Sequence, residues 1–414
     1  MKFWCSTVAL LLSLAFSTSA VQAEKNWPRW RGPHENGHAM EKGLPTKWSE
    51  NSVTWKTPLK GQGQSSPVIW GERIFLTTAL EKGKQRVVMC INRNDGQVVW
   101  EKVAWTGEPE LSHRMNGWAS ATCVTDGEHV YAFFGRGGGM FCYTMDGQLT
   151  WKKDLGHFET PWGVSACPVL HGDLVIQNCD ADKDAYIIGL NKKTGEQVWR
   201  TKRDDIRGWS TPILVKAAGR DELVVNGDTG VRAYNPQTGK EYWFCKSYTG
   251  RGTPTLTPAA GLLIAVNGKP GPIYAVKPGG NGDVTATHRT WTTKRGGGRD
   301  LPSPITIGNY VLVVNMKGIL TCYDAKSGKE LWVERLAGNY SAAPIAYDGL
   351  AFFITEAGET VVVKAGPKAD VVGRYGVGGS DTEIFRSSHT PSDGQVFIRS
   401  DRVLYCVGKR NAAE

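Results

Sequence analysis

Several features that would indicate other classes of protein are missing from this 414-residue sequence. After residue 23 it has no apolar run of about 18 residues, the length that a transmembrane helix requires, so no membrane span is predicted. It has no C-x-x-C pair and no Cys/His cluster with zinc-ligand spacing, which argues against a structural zinc site. Its apolar residues show no helical period, which argues against a helical bundle.

The charge balance is basic but evenly spread. The formal net charge is +9 at pH 7. A basic excess favours anionic partners such as acidic glycans, a membrane surface or nucleic acid. The Lys and Arg residues are scattered and form no long run, however, so a solvated surface accounts for most of them. No nucleic-acid partner is predicted.

Glycine and tryptophan are abundant, with 50 and 16 copies, and many of them belong to an internal repeat. In its clearest copies a Thr-Gly or Ser-Gly turn separates two β-rich runs, and the second run ends on Trp: Leu190–Trp199, Tyr234–Trp243 and Tyr323–Trp332. Because Gly adopts a positive φ without steric cost, these turns predict hairpins. A repeat of about 40–50 residues made of short strands predicts a propeller, solenoid or array.

Two separate patterns count eight repeats. The strand-ending aromatic residue, expected on the outermost strand of each unit, occurs at Trp55, Trp100, Trp151, Trp199, Trp243, Trp291, Trp332 and Tyr375. Small-residue motifs, expected to open the innermost strands, occur at residues 65–67, 120–122, 165–168, 210–212, 252–254, 302–304, 341–344 and 387–390. The last repeat, which ends with Arg402–Gly408, lacks an outer strand, and Trp55 precedes the first inner motif. The strand around Trp55 should therefore complete the eighth unit and close the ring. The predicted fold class is all-β: an eight-bladed β-propeller of four-stranded blades over residues 51–410.

The first 23 residues predict a secretory signal peptide. Lys2 precedes the apolar run Val8–Phe16, and Val21–Ala23 forms a small-residue cleavage site. The mature protein is therefore expected to be exported, to the periplasm or the cell exterior.

Residues 24–50 form a Trp- and Pro-rich segment whose apolar residues follow neither the helical nor the strand period. Its three tryptophans, Trp27, Trp30 and Trp48, would be costly to leave in water. We expect this segment to pack on the propeller as a strap, and a ligand site there is the less favoured alternative.

Eight cysteines remain after the signal peptide. Four share one predicted position, the third strand of a blade: Cys90, Cys142, Cys322 and Cys406. Those four would be too far apart to pair and are interpreted as small buried hydrophobic residues. Two pairs within single blades, Cys123 with Cys142 and Cys167 with Cys179, could form disulfides in an oxidising compartment. The sequence leaves that pairing open.

The repeat endings, Gly followed by Lys or Glu, two residues and Trp, resemble those of the PQQ-like (quinoprotein-type) β-propeller family over essentially all of the mature chain. The family includes pyrroloquinoline-quinone dehydrogenases and non-catalytic eight-bladed propellers such as the BamB scaffold of the outer-membrane β-barrel assembly machinery. The lead-in WPRWRGP resembles that of secreted bacterial members. Of these two groups, we favour a resemblance to the non-catalytic propellers.

For a dehydrogenase, the resemblance implies an adjacent Cys-Cys pair, a Ca²⁺ ion held by acidic and amide side chains, and a base Asp. The sequence has no adjacent Cys pair. Its one Asp-rich segment, Asp180–Asp184, is expected in a surface turn at the edge of a blade and away from the channel. No quinone, metal or other cofactor is therefore predicted.

Residues that precede the inner strands are rich in Arg and Trp, and radial symmetry should bring them to one mouth of the central channel. The predicted ligand-binding residues are Arg114, Trp118, Trp162, Arg207, Trp209, Arg251, Arg299 and Arg386. Clustered Arg side chains suit carboxylate, sulfate or phosphate, and Trp offers a flat face to a sugar. The alternative is that the Trp side chains plug the channel while the Arg side chains pair with local carboxylates such as Asp204, Asp205, Asp300 and Glu383. Two glycine triplets, residues 137–139 and 296–298, could cradle an anion but are typical of loops.

No nucleophile with a base is apparent, so no catalytic residue is predicted. The sequence favours an exported, monomeric, non-enzymatic propeller that binds a protein partner or an anionic polymer, such as an anionic glycan, through one face. A PQQ-dependent oxidoreductase is the alternative. A glycan hydrolase or lyase is a third possibility, and it would need an Asp or Glu with a raised pKa in the channel.

Overall fold

The computed structural model describes residues 25–247, 251–294 and 299–410, and these form eight small antiparallel sheets. In those ranges the one α-helix is α1 (Thr285–His288), and two single-turn 3₁₀ segments cover Glu50–Ser52 and Glu81–Gly83. The prediction of an all-β, eight-bladed propeller is confirmed. In the described part of the chain, no helix is long and apolar enough to cross a membrane.

The chain first forms β1 (Val53–Pro58) and then four blades, each built from the inner strand outwards. Their strands are, for blade 1, β2 (Val68–Trp70), β3 (Arg73–Leu80), β4 (Gln85–Asn92) and β5 (Val98–Thr106); for blade 2, β6 (Val124–Thr125), β7 (His129–Phe133), β8 (Met140–Thr144) and β9 (Leu149–Lys153); for blade 3, β10 (Val169–His171), β11 (Leu174–Cys179), β12 (Tyr186–Asn191) and β13 (Gln197–Lys202); and for blade 4, β14 (Ile213–Ala217), β15 (Arg220–Asn226), β16 (Gly230–Tyr234) and β17 (Glu241–Lys246).

The other four blades follow in the same order. Their strands are, for blade 5, β18 (Thr257–Ala259), β19 (Leu262–Ala265), β20 (Tyr274–Val276) and β22 (Arg289–Thr292); for blade 6, β23 (Ile305–Ile307), β24 (Tyr310–Val314), β25 (Ile319–Asp324) and β26 (Glu330–Arg335); for blade 7, β27 (Ile345–Tyr347), β28 (Leu350–Ile354), β29 (Thr360–Lys364) and β30 (Val371–Tyr375); and for blade 8, β31 (Thr390–Ser392), β32 (Gln395–Arg399) and β33 (Val403–Val407). The short β21 (Gly282–Asp283) adds a fifth, parallel strand to blade 4.

The ring closes where the sequence predicted it would. Strand β1 pairs antiparallel with β33, with Trp55 opposite Cys406 and Lys56 opposite Tyr405. Blade 8 therefore contains both ends of the propeller chain, so separating them requires breaking a β-ladder.

The repeated Trp and Gly residues contact each other across blade boundaries. The indole N–H of Trp151, for example, donates to the carbonyl of Lys192 at 2.9 Å, in the turn of the next blade. Gly195 in that turn has a φ of 73°, and a Cβ there would clash with the Trp151 ring. The same pair recurs between other neighbouring blades: Trp55 with Gly96, Trp100 with Gly147, Trp199 with Gly239 and Trp291 with Gly328. Only a residue without a Cβ fits beneath the indole at this place.

A belt of hydrogen bonds joins the inner strands around the channel. In each link a backbone N–H of one blade donates to the side chain of the next. The links are Ser388 to Ser66 (3.0 Å), Ser66 to Thr122 (2.9 Å), Thr122 to Cys167 (3.3 Å), Cys167 to Thr211 (2.9 Å), Thr211 to Thr255 (3.1 Å) and Thr255 to Ser303 (2.9 Å). The equivalent residue of blade 7 is Ala343, whose methyl group cannot accept a hydrogen bond. The belt is interrupted there.

The eight described cysteines are buried and free. Cys90, Cys142, Cys322 and Cys406 lie in the third strands of their blades, as predicted. Neither of the two pairings that the sequence left open is formed. Burial raises the pKa of the Cys90 thiol to about 12, so this side chain acts as a small apolar group.

Candidate functional site

A cavity of about 270 Å³ lies on the channel axis. Its deep part is lined by the hydrogen-bonded belt. Its outer part is lined by one residue from the segment that precedes each inner strand: Gln64, Asn116, Trp162, Trp209, Arg251, Arg299, Ser341 and Arg386. Because all eight inner strands run in the same direction, these segments meet at one mouth of the channel.

The N-terminal strap crosses the opposite end of the channel. The backbone of Trp27 pairs with Ile69 of blade 1, at N–O distances of 3.0 and 2.9 Å, and the N–H of Ala39 donates to Ala346 of blade 7 at 3.0 Å. Between these points the side chain of Trp30 lines the cavity. Trp30 therefore forms the floor of the cavity at the strap-covered end.

Arg31 anchors the strap beneath that floor. Its guanidinium is buried and donates to the hydroxyl of Thr257 (3.0 Å) and to the carbonyls of Asn36 (2.9 Å) and Pro304 (2.7 Å). All three acceptors are neutral, and burial lowers the pKa of Arg31 to about 9. Two of them belong to blades 5 and 6, so Arg31 ties the strap to the propeller.

At the open mouth, Trp162 is the centre of an aromatic and cationic cluster. Trp209 stacks beside it, with ring centroids 5.9 Å apart and an interplanar angle of 11°. The guanidinium carbons of Arg207 and Arg251 lie 4.4 and 4.2 Å from the Trp162 ring centroid. Trp209 donates its indole N–H to the carbonyl of Gly163 at 2.8 Å, which fixes one ring against the other.

The two arginines on Trp162 differ in their acidic partners. Arg207 is ion-paired with Asp182, through contacts of 2.8 Å to Oδ1 and 2.5 Å to Oδ2. No carboxylate of the described residues lies within 4.0 Å of the guanidinium of Arg251, and the same holds for Arg299. Partial burial, together with the charges of Arg299 and Arg207, lowers the pKa of Arg251. On this side of the mouth, therefore, two guanidiniums lie without a carboxylate of the described residues in ion-pairing distance.

Arg386, on the other side of the mouth, is neutralised. It contacts Glu356 through Nε (3.0 Å) and a terminal nitrogen (3.2 Å), and it donates to the carbonyl of Arg114 at 3.1 Å. Burial of Glu356 opposes ionisation, but hydrogen bonds from Arg386 and Ser341 and the nearby positive charges hold the pKa of Glu356 below its usual value. This pair is a fixed part of the wall.

Five of the eight predicted ligand-binding residues line the cavity: Trp162, Trp209, Arg251, Arg299 and Arg386. Arg207 contacts it indirectly through Trp162, and Arg114 lies at the rim, where its carbonyl binds Arg386. Trp118 points elsewhere: its ring covers Gly83, lies 5.8 Å from the Arg86 guanidinium and donates to the carbonyl of Glu110 at 2.8 Å. The segment between β5 and β6 turns this indole into the interface between blades 1 and 2.

Sequence reasoning did not assign Gln64 to the site, and it favoured a packing role over a ligand site for the strap that contains Trp30. Gln64 could have been found, because it precedes a small-residue motif just as Trp209 and Arg386 do. The role of Trp30 carries no local signal, because it depends on where the strap crosses the channel.

Two expectations about acidic residues are corrected by the structure. Arg207 and Arg386 do pair with carboxylates, as the pairing alternative expected, but with Asp182 and Glu356. Of the carboxylates that it named, Asp204 binds Arg232, Asp205 lies 3.8 Å from Lys202, and Glu383 accepts from the Tyr405 hydroxyl. The segment Asp180–Asp184 was expected away from the channel, yet Asp182 reaches Arg207 at the mouth. Loops between second and third strands lie on the same face as those that precede inner strands, which explains the error.

Asp180 itself is buried against Arg203, 2.5 Å away. Of the two glycine triplets, residues 137–139 form a turn between β7 and β8, and residues 296–298 lie outside the described residues.

The lining residues do not fit a calcium–quinone centre. Among the described residues that line the cavity there is no Asp or Glu, whereas a calcium-dependent dehydrogenase needs carboxylate ligands and a carboxylate base. The sequence also lacks the adjacent Cys pair. The donor set, two unneutralised guanidiniums with hydroxyls and indoles, is chemically suited to binding an anion.

The chain matches a family model described as outer membrane protein assembly factor BamB over residues 41–159, 84–277 and 269–398. BamB of Burkholderia pseudomallei is 25% identical over 281 residues, which are 66% of this chain and 55% of that protein. Methanol dehydrogenase [cytochrome c] subunit 1 of Methylorubrum extorquens is 26% identical over 168 residues, 36% of this chain and 26% of that protein. The chain thus spans between about a quarter and about half of the length of these relatives.

Solved structures show the same fold in both groups. BamB from Moraxella catarrhalis superposes with a TM-score of 0.62 at 14% identity, covering 86% of this chain and 99% of that chain. A europium-containing methanol dehydrogenase superposes with a TM-score of 0.69 at 11% identity, covering 95% and 100%. The repeat, the eight closed blades and the family match agree: the chain belongs to the PQQ-like β-propeller family whose model is described as outer membrane protein assembly factor BamB.

Proposed function

We propose that this chain is an exported, non-enzymatic propeller that binds an anionic ligand at the open mouth of its channel. The observation that carries the proposal is the pairing pattern of the arginines. Arg207 and Arg386 are neutralised by carboxylates, whereas Arg251 and Arg299 have no described carboxylate within 4.0 Å. A partly enclosed guanidinium that the protein does not neutralise is a strong donor to carboxylate, sulfate or phosphate.

The chemistry of the cavity supports binding without turnover. A general base or a metal-activated step requires a group that accepts a proton or holds a cation. The described lining residues offer hydroxyls, indoles, amides, guanidiniums, the His113 ring and the Cys167 thiol. The His113 ring is the one candidate base among them, but its Nδ1 accepts the backbone N–H of Met115 at 3.2 Å, and no described lining residue supplies a carboxylate to orient it. Burial raises the pKa of Cys167, which keeps that thiol protonated.

The relatives support an exported protein, since the matched family is named for the outer membrane. The relatives include dehydrogenases, so a PQQ-dependent oxidoreductase is the alternative function. They also include outer-membrane assembly factors, so a protein partner is the alternative to an anionic ligand. The predicted signal peptide, residues 1–23, lies outside the described residues.

The test is calorimetric titration of the mature protein with trigalacturonate and with a sulfated heparin hexasaccharide. The key variant is Arg251→Gln/Arg299→Gln. Each lost charge-assisted hydrogen bond is worth about 1.5–3 kcal/mol, so we expect at least a 30-fold loss of affinity, equivalent to about 2 kcal/mol.

The matched control is Asp182→Asn/Arg207→Gln. It also removes one guanidinium from Trp162 but deletes a neutral ion pair, so anion affinity should change by less than about threefold. Failure of both oligosaccharides to bind, or equal binding by the two variants, would overturn the proposal. Binding of pyrroloquinoline quinone with Ca²⁺, followed by alcohol-dependent dye reduction, would establish the oxidoreductase instead.

A further inference from the structure

We infer that the cavity binds the end of an acidic oligosaccharide, with one terminal anionic sugar inserted into the mouth. This inference rests on the proposed anion-binding function and adds the ligand class and the binding mode. Three features carry it: the closed floor, the composition of the wall and the position of the unneutralised arginines.

The closed floor selects a chain end. Trp30 lies at the floor of the cavity, and the strap is held on both sides of the ring, by Trp27 on blade 1 and by Glu35, which accepts from the N–H of Leu214 on blade 4 at 2.8 Å. An indole at the floor favours a ligand that enters by its end over a polymer threaded through the channel. At about 270 Å³, the cavity is near the lower limit of about 300–1,000 Å³ for small-molecule sites, which suits roughly one or two sugar rings.

The wall composition favours a sugar over a peptide end. The lining contains nine hydroxyl side chains among the described residues, distributed all round the channel: Ser66, Ser120, Thr122, Ser165, Thr211, Thr253, Ser303, Ser341 and Ser388. Four of them, Ser66, Thr122, Thr211 and Ser303, already accept a belt N–H, but each keeps its O–H to donate to a sugar oxygen. A peptide end would instead require an apolar pocket for its side chain, and the apolar non-aromatic lining is limited to Met115, Leu301 and two alanines.

The aromatic and cationic groups lie where a terminal acidic sugar would need them. Trp162 and Trp209, stacked at an interplanar angle of 11°, place two indole rings at the mouth of a hydroxyl-lined cavity. Arg251 lies 4.2 Å from the Trp162 ring centroid, and Arg299 belongs to the next blade around the ring. A sugar ring beside the indoles would place an acidic substituent within reach of Arg251. The shared chemistry is an anionic sugar, either a uronate or a sulfated residue.

The experiment compares oligogalacturonates of three and of six residues. Each is used in three forms: unmodified, with a bulky 2-aminobenzamide group at the reducing end, and with an unsaturated sugar at the non-reducing end. Capture of a chain end predicts one oligosaccharide per protein at both lengths and affinities within about threefold of each other. It also predicts a loss of at least tenfold on modification of one end only. A stoichiometry that grows with length, or no effect of either end modification, would overturn end capture. Arg251→Gln/Arg299→Gln would still lose binding in that case, so the proposed function would stand.

Separate arms test the ligand class. Trp209→Leu should weaken trigalacturonate binding at least tenfold. The same variant should bind citrate, an anion without a sugar ring, with an affinity within threefold of the wild type. Trp209→Phe should restore most of the lost trigalacturonate affinity. A sulfated disaccharide that binds better than digalacturonate identifies the sulfated source. A tripeptide with a free C-terminal carboxylate that binds more tightly than trigalacturonate would overturn the sugar class. No binding of any anion would mean that the proposed function itself fails.

Discussion

The two ends of the channel use the same residue types for different purposes. At the closed end, Trp30 and Arg31 belong to the strap, and the two terminal nitrogens of Arg31 donate to a hydroxyl and two carbonyls of the chain. At the open mouth, Arg251 lies on Trp162 without a described carboxylate within 4.0 Å. The acceptors supplied by the chain, and not the Arg–Trp pattern, therefore distinguish the structural Arg31 from Arg251, which we propose binds a ligand.

The largest expected effect is on stability at the closed end. Arg31→Ala removes three buried hydrogen bonds and leaves unpaired acceptors and a cavity, so the free energy of unfolding should fall by about 3 kcal/mol or more. Urea denaturation followed by tryptophan fluorescence measures it. Arg251→Ala, at the partly exposed mouth, should cost less than about 0.5 kcal/mol. Equal losses in the two variants would remove the distinction between the ends.

The strap-covered side should also respond to pH through His389, which is buried with Trp48 edge-on at 5.8 Å. Burial lowers the pKa of His389 to about 3. Below pH 6.5, therefore, His389 is protonated in the unfolded chain but remains neutral in the folded protein, so the free energy of unfolding falls as the pH drops. Between pH 7 and pH 5 this single group should reduce the free energy of unfolding by about 2 kcal/mol.

Glu41 of the strap acts in the opposite direction. Burial raises its pKa to about 7, so its contribution to stability is lost as the pH rises from the unfolded value through 7. The contribution of His389 is therefore measured as the difference in pH dependence between the wild type and His389→Gln by urea denaturation. Identical pH profiles of the two proteins would contradict the assignment.

The smallest expected effect lies between the two ends, in the belt. Ala343→Ser supplies the missing acceptor for the N–H of Ser303, so we expect a gain of about 0.5–1.5 kcal/mol in the free energy of unfolding. Thermal denaturation against Ala342→Ser, a change at the neighbouring position outside the belt, tests it. An equal or larger gain from Ala342→Ser would argue against the belt.

Much of the fold could be predicted because its determinants are local and repeated. Each strand-ending Trp and each turn Gly can be recognised from its own repeat. Because Trp55 precedes the first inner-strand motif, it predicted that β1 completes blade 8. The site was less predictable. Radial symmetry correctly placed Trp162 and Arg251 at one mouth, but the partner of Arg207 comes from a loop of the neighbouring blade. Which carboxylate reaches which arginine depends on packing between blades, and no local pattern encodes that.

The most direct test of the account is a crystal structure of the mature protein soaked with trigalacturonate. The account predicts one terminal sugar inside the cavity, above Trp30, with its carboxylate within hydrogen-bond distance of Arg251 or Arg299. Oligosaccharide bound on another surface while the cavity holds none, at concentrations that saturate the protein in solution, would contradict it.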